Sequence, residues 1–469
     1  MRRIGAGLGL ALLLGAGAAR AGVTFEYLFT GMYANSVSAD GNAVAGNNPS
    51  TWGAYLWTQA GGVQDLGLAP TPSPGGSPGI SADGTRVAST ILGADSTYST
   101  SGLWTQGSGW QQFIPPNGPP DLILIDRNYS TVYGLSGDGS TVVGLYWRNV
   151  SGAGAHAFKW TQAGGGIDLG SINGSSRANG VDYDGNVIVG WTTDVTGSRL
   201  AAAWDHGTIV GLTPAGNSGA EAQCVNPSGT IAAGYEYNPA TTVREVARWT
   251  KTGGTWSATQ HLGSVPGTEA GATGINVAEG VSSDGKLIVG YCSFDGSPFN
   301  TTGFVWTDSS GTIDVNTFLQ ANGVYVDPGF YIESCQCLTP DGTCIIGYGQ
   351  DLVSPYTRRV FRIRIPNTAG VGHAPAAAKL QLAAPSPNPA SGPTRFAFTL
   401  PVAGEANFAI YDAAGRSVVS LVRGWTPAGQ HSLTWDGRDA GGQPVAGGLY
   451  FARLATAQGS VTQRLVRIR

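Results

Sequence analysis

The sequence predicts an all-β chain: a seven-bladed β-propeller of four-stranded blades, followed by a small β-sandwich. Three observations carry this expectation. Glycine is in excess while charge is scarce, one unit recurs seven times, and a strand left over before the first copy matches one missing from the last. Of 469 residues, 73 are glycine and 12% are charged, against roughly 7% and about 25% in an ordinary soluble domain. No G-X-Y period runs through the chain, which excludes collagen. With 41% hydrophobic and 9% aromatic residues, it is unlike a solvated, disordered chain. A long-helix protein is excluded too, because Gly costs about 1 kcal/mol per helical position relative to Ala.

The unit begins with a turn. VSADGNAVAG at 37–46 recurs as ISADGTRVAS, LSGDGSTVVG, VDYDGNVIVG, VNPSGTIAAG, VSSDGKLIVG and LTPDGTCIIG. The anchor before each turn glycine is Asp40, Asp83, Asp138, Asp184, Ser228, Asp284 or Asp341. Six residues past the anchor stands Gly46, Gly144, Gly190, Gly234, Gly290 or Gly347, with Ser89 in the remaining copy. A second block places an aromatic 17 to 22 residues past the anchor: Trp57, Trp104, Trp160, Trp204, Trp249, Trp306 and finally Phe361. A third block reads VQDLG, WQQFI, GIDLG, TIVGL, TQHLG and TIDVN.

The elements follow in order. An Asp-Gly step between apolar runs signals a hairpin, because Gly accepts positive φ without a Cβ clash. Flanking runs rich in Val, Ile and Ala suit strands buried on both faces. Each copy therefore reads as four strands: into the turn, out of it, the Trp strand and the outer D-L-G strand. Stacking the copies around an axis buries both faces of every sheet, with a Trp between neighbours. An average spacing of about 50 residues suits blades rather than a leucine-rich solenoid. The seventh copy runs from RVFRIRI into Pro366 with no outer strand, whereas VTFEYLF at 23–29 precedes the first copy unpaired. Pairing the two would close a ring and leave no sheet edge exposed; the alternative is an open β-solenoid.

These blocks, notably AYLWTQAGGVQDLG (54–67), AFKWTQAGGGIDLG (157–170) and ANGVDYDGNVIVGW (178–191), resemble the extracellular HAF repeats of bacterial exported proteins. The resemblance spans residues 23 to about 366 and implies architecture but no reaction. Phe361 departs from its Trp, and Ser228 from its Asp.

The two ends carry an address. MRRIGAGLGLALLLGAGAARA (1–21) has a positive start, an apolar core too short for the ~20 residues of a membrane span, and a small-x-small end. It reads as a signal peptide, leaving no transmembrane segment in the mature chain and a secreted or outer-surface protein. Residues 22–366 form the propeller. The Ala- and Pro-rich stretch 367–393 reads as a linker, and 394–469, with short strands between turn residues, as a sandwich. Pro387-Asn388-Pro389, Ile410-Tyr411-Asp412 with Gly415-Arg416, Trp435-Asp436-Gly437-Arg438-Asp439 and Gly448-Leu449-Tyr450-Phe451 make this module similar to the FlgD Ig-like domain. It also resembles the C-terminal sorting domain of type IX secretion substrates. The second resemblance implies passage across an outer membrane, with export machinery as a partner of this domain; a structural spacer is the alternative.

Chemistry is sparse. A net charge of −4 without a basic run argues against nucleic acid. HExxH and P-loop motifs are missing from the sequence, and no cofactor or metal is expected. Asp182-x-Asp184-Gly185-Asn186 opens like a calcium loop, but Thr193 stands where the twelfth-position Glu belongs. Cys337 and Cys344 flank the last turn, so either a cross-hairpin disulfide or small buried thiols fit there. Extra residues fall around 113–130, 263–280 and 315–335, the crossings between blades opposite the Asp-Gly turns. The residue after the repeat Gly is aromatic in four consecutive copies, Trp191, Tyr235, Tyr291 and Tyr348, while Tyr146 and Trp147 sit slightly further along an earlier one. These rings either cap the blade cores or form a platform for a glycan or peptide.

The expectation is a non-catalytic binding or adhesion protein with a glycan or protein ligand. The alternative is a propeller hydrolase or lyase acting on extracellular polysaccharide. Clustered Asp, Glu and His at the central mouth would mark the enzyme; aromatic and neutral polar residues there would mark the binder.

Overall fold

The seven turns fold as their spacing predicts. In the computed structural model all seven turn glycines, Gly41 through Gly342, have φ between 65° and 77°, the left-handed region that a side chain resists. The anchor serves the same hairpin: Asp40 Oδ1 accepts from the Asn42 N–H at 2.9 Å and from Ser38 Oγ at 2.6 Å. Where Ser228 replaces the Asp, Asn226 takes over, its Oδ1 accepting from the N–H groups of Thr230 and Ile231.

The structure describes residues 22–51, 53–67, 75–92, 99–113, 130–147, 154–214, 219–268, 275–295, 300–366, 380–400, 404–426, 429–456 and 459–468. The expected signal segment 1–21, most of the linker (367–379) and much of the first two long crossings (114–129 and 269–274) lie outside them. Seven antiparallel sheets form within residues 24–364. In the fourth, Ser176–Val181 pairs with Val187–Thr193, that strand with Arg199–Asp205, and Thr208–Gly211 closes the outer side. The other sheets repeat this order, and the fifth adds the short strand Thr255–Trp256.

The left-over strand goes where ring closure requires. Thr24–Thr30 pairs antiparallel with Arg358–Arg364, placing Phe25 opposite Ile363 and Tyr27 opposite Phe361. Blade seven thus contains the first and last strands of the propeller. Phe25 stacks on Phe361 at 5.1 Å between ring centroids, while Phe29 lies 5.7 Å from Trp57 of blade one. Arg362 spans the same junction, donating to the Gly41 carbonyl at 2.8 Å and to Glu26 at 2.7 Å.

Each Trp-strand aromatic is buried against the preceding blade. Trp249 packs on Val187, Val189 and Ala203 of blade four, and Trp57 on Ile346 and Val360 of blade seven. The ring is continuous for that reason, since blade one leans on blade seven as every other blade leans on its predecessor. Backbone bonds near the turns add to it: the Ala39 N–H donates to Ala82 O, Ala82 to Gly137 O, and Tyr183 to Pro227 O.

Among the described residues, the crossing after blade six holds the one helix, Val315–Ala321, capped by Asp314. The C-terminal module is a two-sheet sandwich around Phe396, Phe408, Trp435 and Leu454. Its edge strand, Gln381–Leu382, pairs with Thr394–Leu400 and so lies in the stretch whose composition reads as linker.

The repeat glycine has a steric cause. A Cβ at Gly190 would stand 1.9 Å from the Arg177 carbonyl oxygen of the neighbouring innermost strand; the distances at Gly46, Gly144, Gly234, Gly290 and Gly347 are 1.9 to 2.1 Å. Blade two has Ser89 there, and its innermost strand is cut to Gly79–Ile80. The strand whose carbonyl would collide has ended. Gly190→Ala should therefore lower unfolding free energy by about 1–3 kcal/mol or more, whereas Ser89→Ala should cost under about 1 kcal/mol. Urea titration of both variants checks the contrast.

Candidate functional site

The close approach at the repeat glycine comes with a bulge. Pairing in blade four runs Ala178 to Gly190 and then Gly180 to Val189, leaving Asn179 as the extra residue. The same irregularity leaves out Asn35, Tyr133, Gln223, Glu279 and Gln336 in blades one, three, five, six and seven. Each stands five residues before its turn anchor, and Pro78 holds that place in blade two. All seven line one cavity of about 260 Å³ on the propeller axis. An extra residue on a bulged strand re-aims its side chain, and here it turns into the channel. Two places nearer the turn, Val37, Ile80, Leu135, Val181, Val225, Val281 and Leu338 line the same cavity. The channel is thus a polar ring beside an aliphatic one.

Toward the crossing side, the inner three strands of the blades carry a collar of charges and rings. Arg177 donates to Glu221 Oε2 at 2.6 Å and to Asn179 Oδ1 at 2.6 Å, with its guanidinium 4.6 Å from the Tyr133 ring centre. Arg199 holds the other Glu221 oxygen and lies 4.4 Å over the Trp191 ring. On blade seven, Arg358 grips both oxygens of Glu333, donates to the Tyr33 hydroxyl at 2.6 Å and stacks over its ring at 4.3 Å. Tyr33 in turn meets Tyr348 edge-on at 5.1 Å.

The six predicted rings divide. Trp191, Tyr235 and Tyr291 lie directly opposite Arg177, Glu221 and Val277, and Tyr348 opposite Ser334, so all four belong to the collar. Burial raises the hydroxyl pKa of Tyr235, Tyr291 and Tyr348, with Glu221 adding to it at Tyr235, Glu279 at Tyr291 and Glu333 at Tyr348. Tyr146 lies one residue past the equivalent place, on the opposite strand face, and packs into the blade-three core near Phe158 and His156. Trp147 pairs with Ala155 at the far end of its strand, its indole N–H buried without a partner. Tyr146 is thereby directed into the blade core and not to the collar.

Cys337 and Cys344, the pair considered for a disulfide, are free buried thiols, as is Cys335. The turn register sets Cys337 opposite Ile346, while the Thr339 N–H donates to the Cys344 carbonyl, so the two cysteines are not cross-strand partners. Burial pushes the Cys344 thiol up to about 12, partly countered by Arg364 and Arg362. Among the described residues no group of three or more His, Cys, Asp and Glu could hold a metal, and no helix is long and apolar enough to cross a membrane. His156 is held by Asp168 and the Gly174 carbonyl, both at 3.0 Å, and His206 by Asp205. Neither lines the channel.

Two carboxyls do line it, Asp182 and Glu279. Burial, reinforced by Asp184, raises the Asp182 pKa. Glu279 is pushed up to about 8 by burial, which Arg177 opposes and Glu221 assists. Sequence reasoning missed the bulge ring because it followed residues the copies share. The available signal was a polar residue five places before the anchor in six of seven copies.

Residues 387–460 match the FlgD Ig-like domain family. No curated protein matches the chain. Among solved structures, the chain is similar to the β-propeller domain of the Trilobed protease from Pyrococcus furiosus, at 8% identity and a TM-score of 0.42, over 71% of this chain and 95% of that one. TolB from Acinetobacter baumannii is 13% identical, with a TM-score of 0.36, over 68% and 76%. FlgD from P. aeruginosa is 21% identical, with a TM-score of 0.15, over 20% and 76%. The propeller assignment rests on the strand pairings themselves.

The Glu279 carboxyl makes a pH prediction. Its pKa rises on folding, so below about 4.5 both states are protonated and nothing is lost. As pH climbs toward 8 the unfolded chain ionises first, so stability falls across that window. Glu279→Gln removes this titration. Its melting temperature should drop less than that of the wild type between pH 5 and pH 8, as differential scanning calorimetry would record.

Proposed function

We propose that this chain is an exported, surface-displayed binding protein without a catalytic role. Its ligand, a glycan or a protein surface, sits at the channel mouth on the crossing side. The observation that carries this reading is the collar: four of the predicted rings gather there with arginines held by carboxylates, Arg177 and Arg199 by Glu221 and Arg358 by Glu333. Such a surface offers ring faces and oriented donors without a free acid–base pair. The bulge ring is mostly amide and phenol, which likewise favours binding over the clustered acids and histidines an enzyme would call for. The C-terminal module would then serve secretion or attachment at the outer surface, a role supported by its match to the FlgD Ig-like family and by the signal-like first 21 residues. Recognition as a type IX sorting domain is the finer form of that proposal, and the HAF-type repeat the finer form of the propeller's kinship.

One observation favours a second reading. A carboxyl held protonated near neutral pH, as Glu279 is, is what a general acid in a polysaccharide hydrolase or lyase needs. Against it, the neighbouring carboxylate that would act as base, Glu221, is engaged by two arginines.

Glycan and peptide arrays probed with the full chain discriminate the readings. Binding without cleavage is expected, and Tyr291→Ala with Tyr348→Ala should weaken it by about tenfold or more. Release of reducing ends from a polysaccharide, abolished by Glu279→Gln, would replace the binding reading with the enzymatic one.

A further inference from the structure

We propose that the axial channel is itself the specificity pocket, taking one uncharged pyranose unit from the end of a glycan chain. This rests on the binding reading above and deepens it, committing the ligand to a neutral sugar.

Four features lead there. The first is that the fold builds the pocket deliberately: six innermost strands each carry one extra residue at the same place, and that residue lines the cavity. Core packing alone would not call for a bulge repeated at one height around an axis. The second is size. At about 260 Å³ the cavity falls just below the roughly 300–1,000 Å³ of drug-sized pockets, which suits one sugar ring and excludes a folded segment. The third is composition: amide groups from Asn35, Asn179, Gln223 and Gln336 stand beside a ring of aliphatic side chains. A pyranose presents hydroxyls around its edge and C–H groups on its faces, and so matches both rings. The fourth is an unmet bond. Asn35 Oδ1 is buried with no hydrogen-bond partner, a cost of about 1–3 kcal/mol unless a ligand hydroxyl supplies the donor.

The charge balance selects against ions. Among the described residues no Lys or Arg lines the cavity, so a uronate or phosphate would enter without a counter-charge in its wall. The charged and titratable groups around Glu279 are Arg177 and Glu221 from the collar, Tyr291 and Tyr348 from the second strands, and the thiols of Cys224 and Cys337 from the innermost ones. Arg177 is bonded to Glu221, which Arg199 also engages, and lies in the collar outside the cavity lining. A neutral Glu279 carboxyl can both donate to and accept from a sugar hydroxyl.

The test uses the full-length chain and four probes: methyl glycosides of a neutral hexose, a deoxyhexose, an N-acetylhexosamine and a hexuronic acid. Each is titrated by calorimetry or ligand-observed NMR. One of the neutral glycosides should bind and the uronic acid should not. Asn35→Ala removes a group with no partner inside the protein, so it should fold normally and weaken the sugar by about tenfold. Gln223→Trp, filling the channel, should abolish binding while the melting curve still reports a folded chain. Equal affinity in wild type and both variants would overturn the channel, as would preference for the uronic acid. If glycan-array binding persists in both channel variants but is lost in the Tyr291→Ala, Tyr348→Ala double variant, the channel fails and the collar reading stands. If the wild type binds no glycan, the sugar assignment falls; if it binds no peptide either, the binding reading falls with it.

Discussion

The propeller depends on one close approach repeated around its axis. In six blades the backbone carbonyl seven places before the anchor presses onto the α-carbon six places after it, where only glycine leaves room. That contact coincides with the bulge, because the residue opposite the glycine is the last one paired before the extra residue. The bulge puts a polar side chain into the channel. Blade two shows the dependence by exception: serine replaces the glycine, the innermost strand shortens to two residues, and proline occupies the channel position. Part of the glycine excess is therefore a condition for the pore lining.

Closing the ring is a separate problem, solved at the junction of blades seven and one. A propeller left open there would expose the hydrogen-bonding edge of Arg358–Arg364 to other chains. The N-terminal strand covers that edge and then reaches on, through Phe29, to Tyr55 and Trp57 of the first blade. Phe361, where the other copies have Trp, accommodates the arrangement, because a smaller ring leaves space for Phe25 to stack against it. The departure from the repeat is thus explained by what must pack on it.

Much of the fold was legible because it is written in residues that recur. Positive φ demands Gly after each anchor, blade contact demands a large aromatic, and a missing outer strand demands a donor elsewhere; all three leave a spacing. The collar rings were legible for the same reason, as side chains following a recurrent glycine. Tyr146 lies outside the collar because strand alternation has period two. Moving one residue along reverses the face, which sends Tyr146 into the core. The channel ring was hidden by its own variety. The backbone places those residues identically, but Asn, Tyr, Gln, Glu and Pro share no chemistry that a search for repeated letters can find. A bulge carries no residue signature on the strand that bulges; its mark is the glycine across from it. Of the two readings open for Cys337 and Cys344, buried thiols prevail because the turn places Cys337 opposite Ile346 and not opposite Cys344.

What separates collar from channel is where charge can be compensated. At the collar, blade-to-blade spacing lets a guanidinium on one innermost strand reach a carboxylate on the next, as Arg177 does with Glu221. Desolvated ions are tolerated when paired and bonded in this way. Inside the channel the wall comes from the innermost strands and the turns that follow them, and among the described residues no Lys or Arg lines it. A carboxyl there is cheaper neutral, and Glu279 holds its proton to about pH 8. The blades thus present two surfaces: an outer rim where arginines and carboxylates pair within and across blades, and an inner ring with no lining cation among the described residues. A ligand entering along the axis meets ring faces and paired ions first, and hydrogen-bonding groups without charge last. On the binding reading proposed above, that sequence of surfaces would make the site discriminate by hydroxyl geometry rather than by electrostatic attraction.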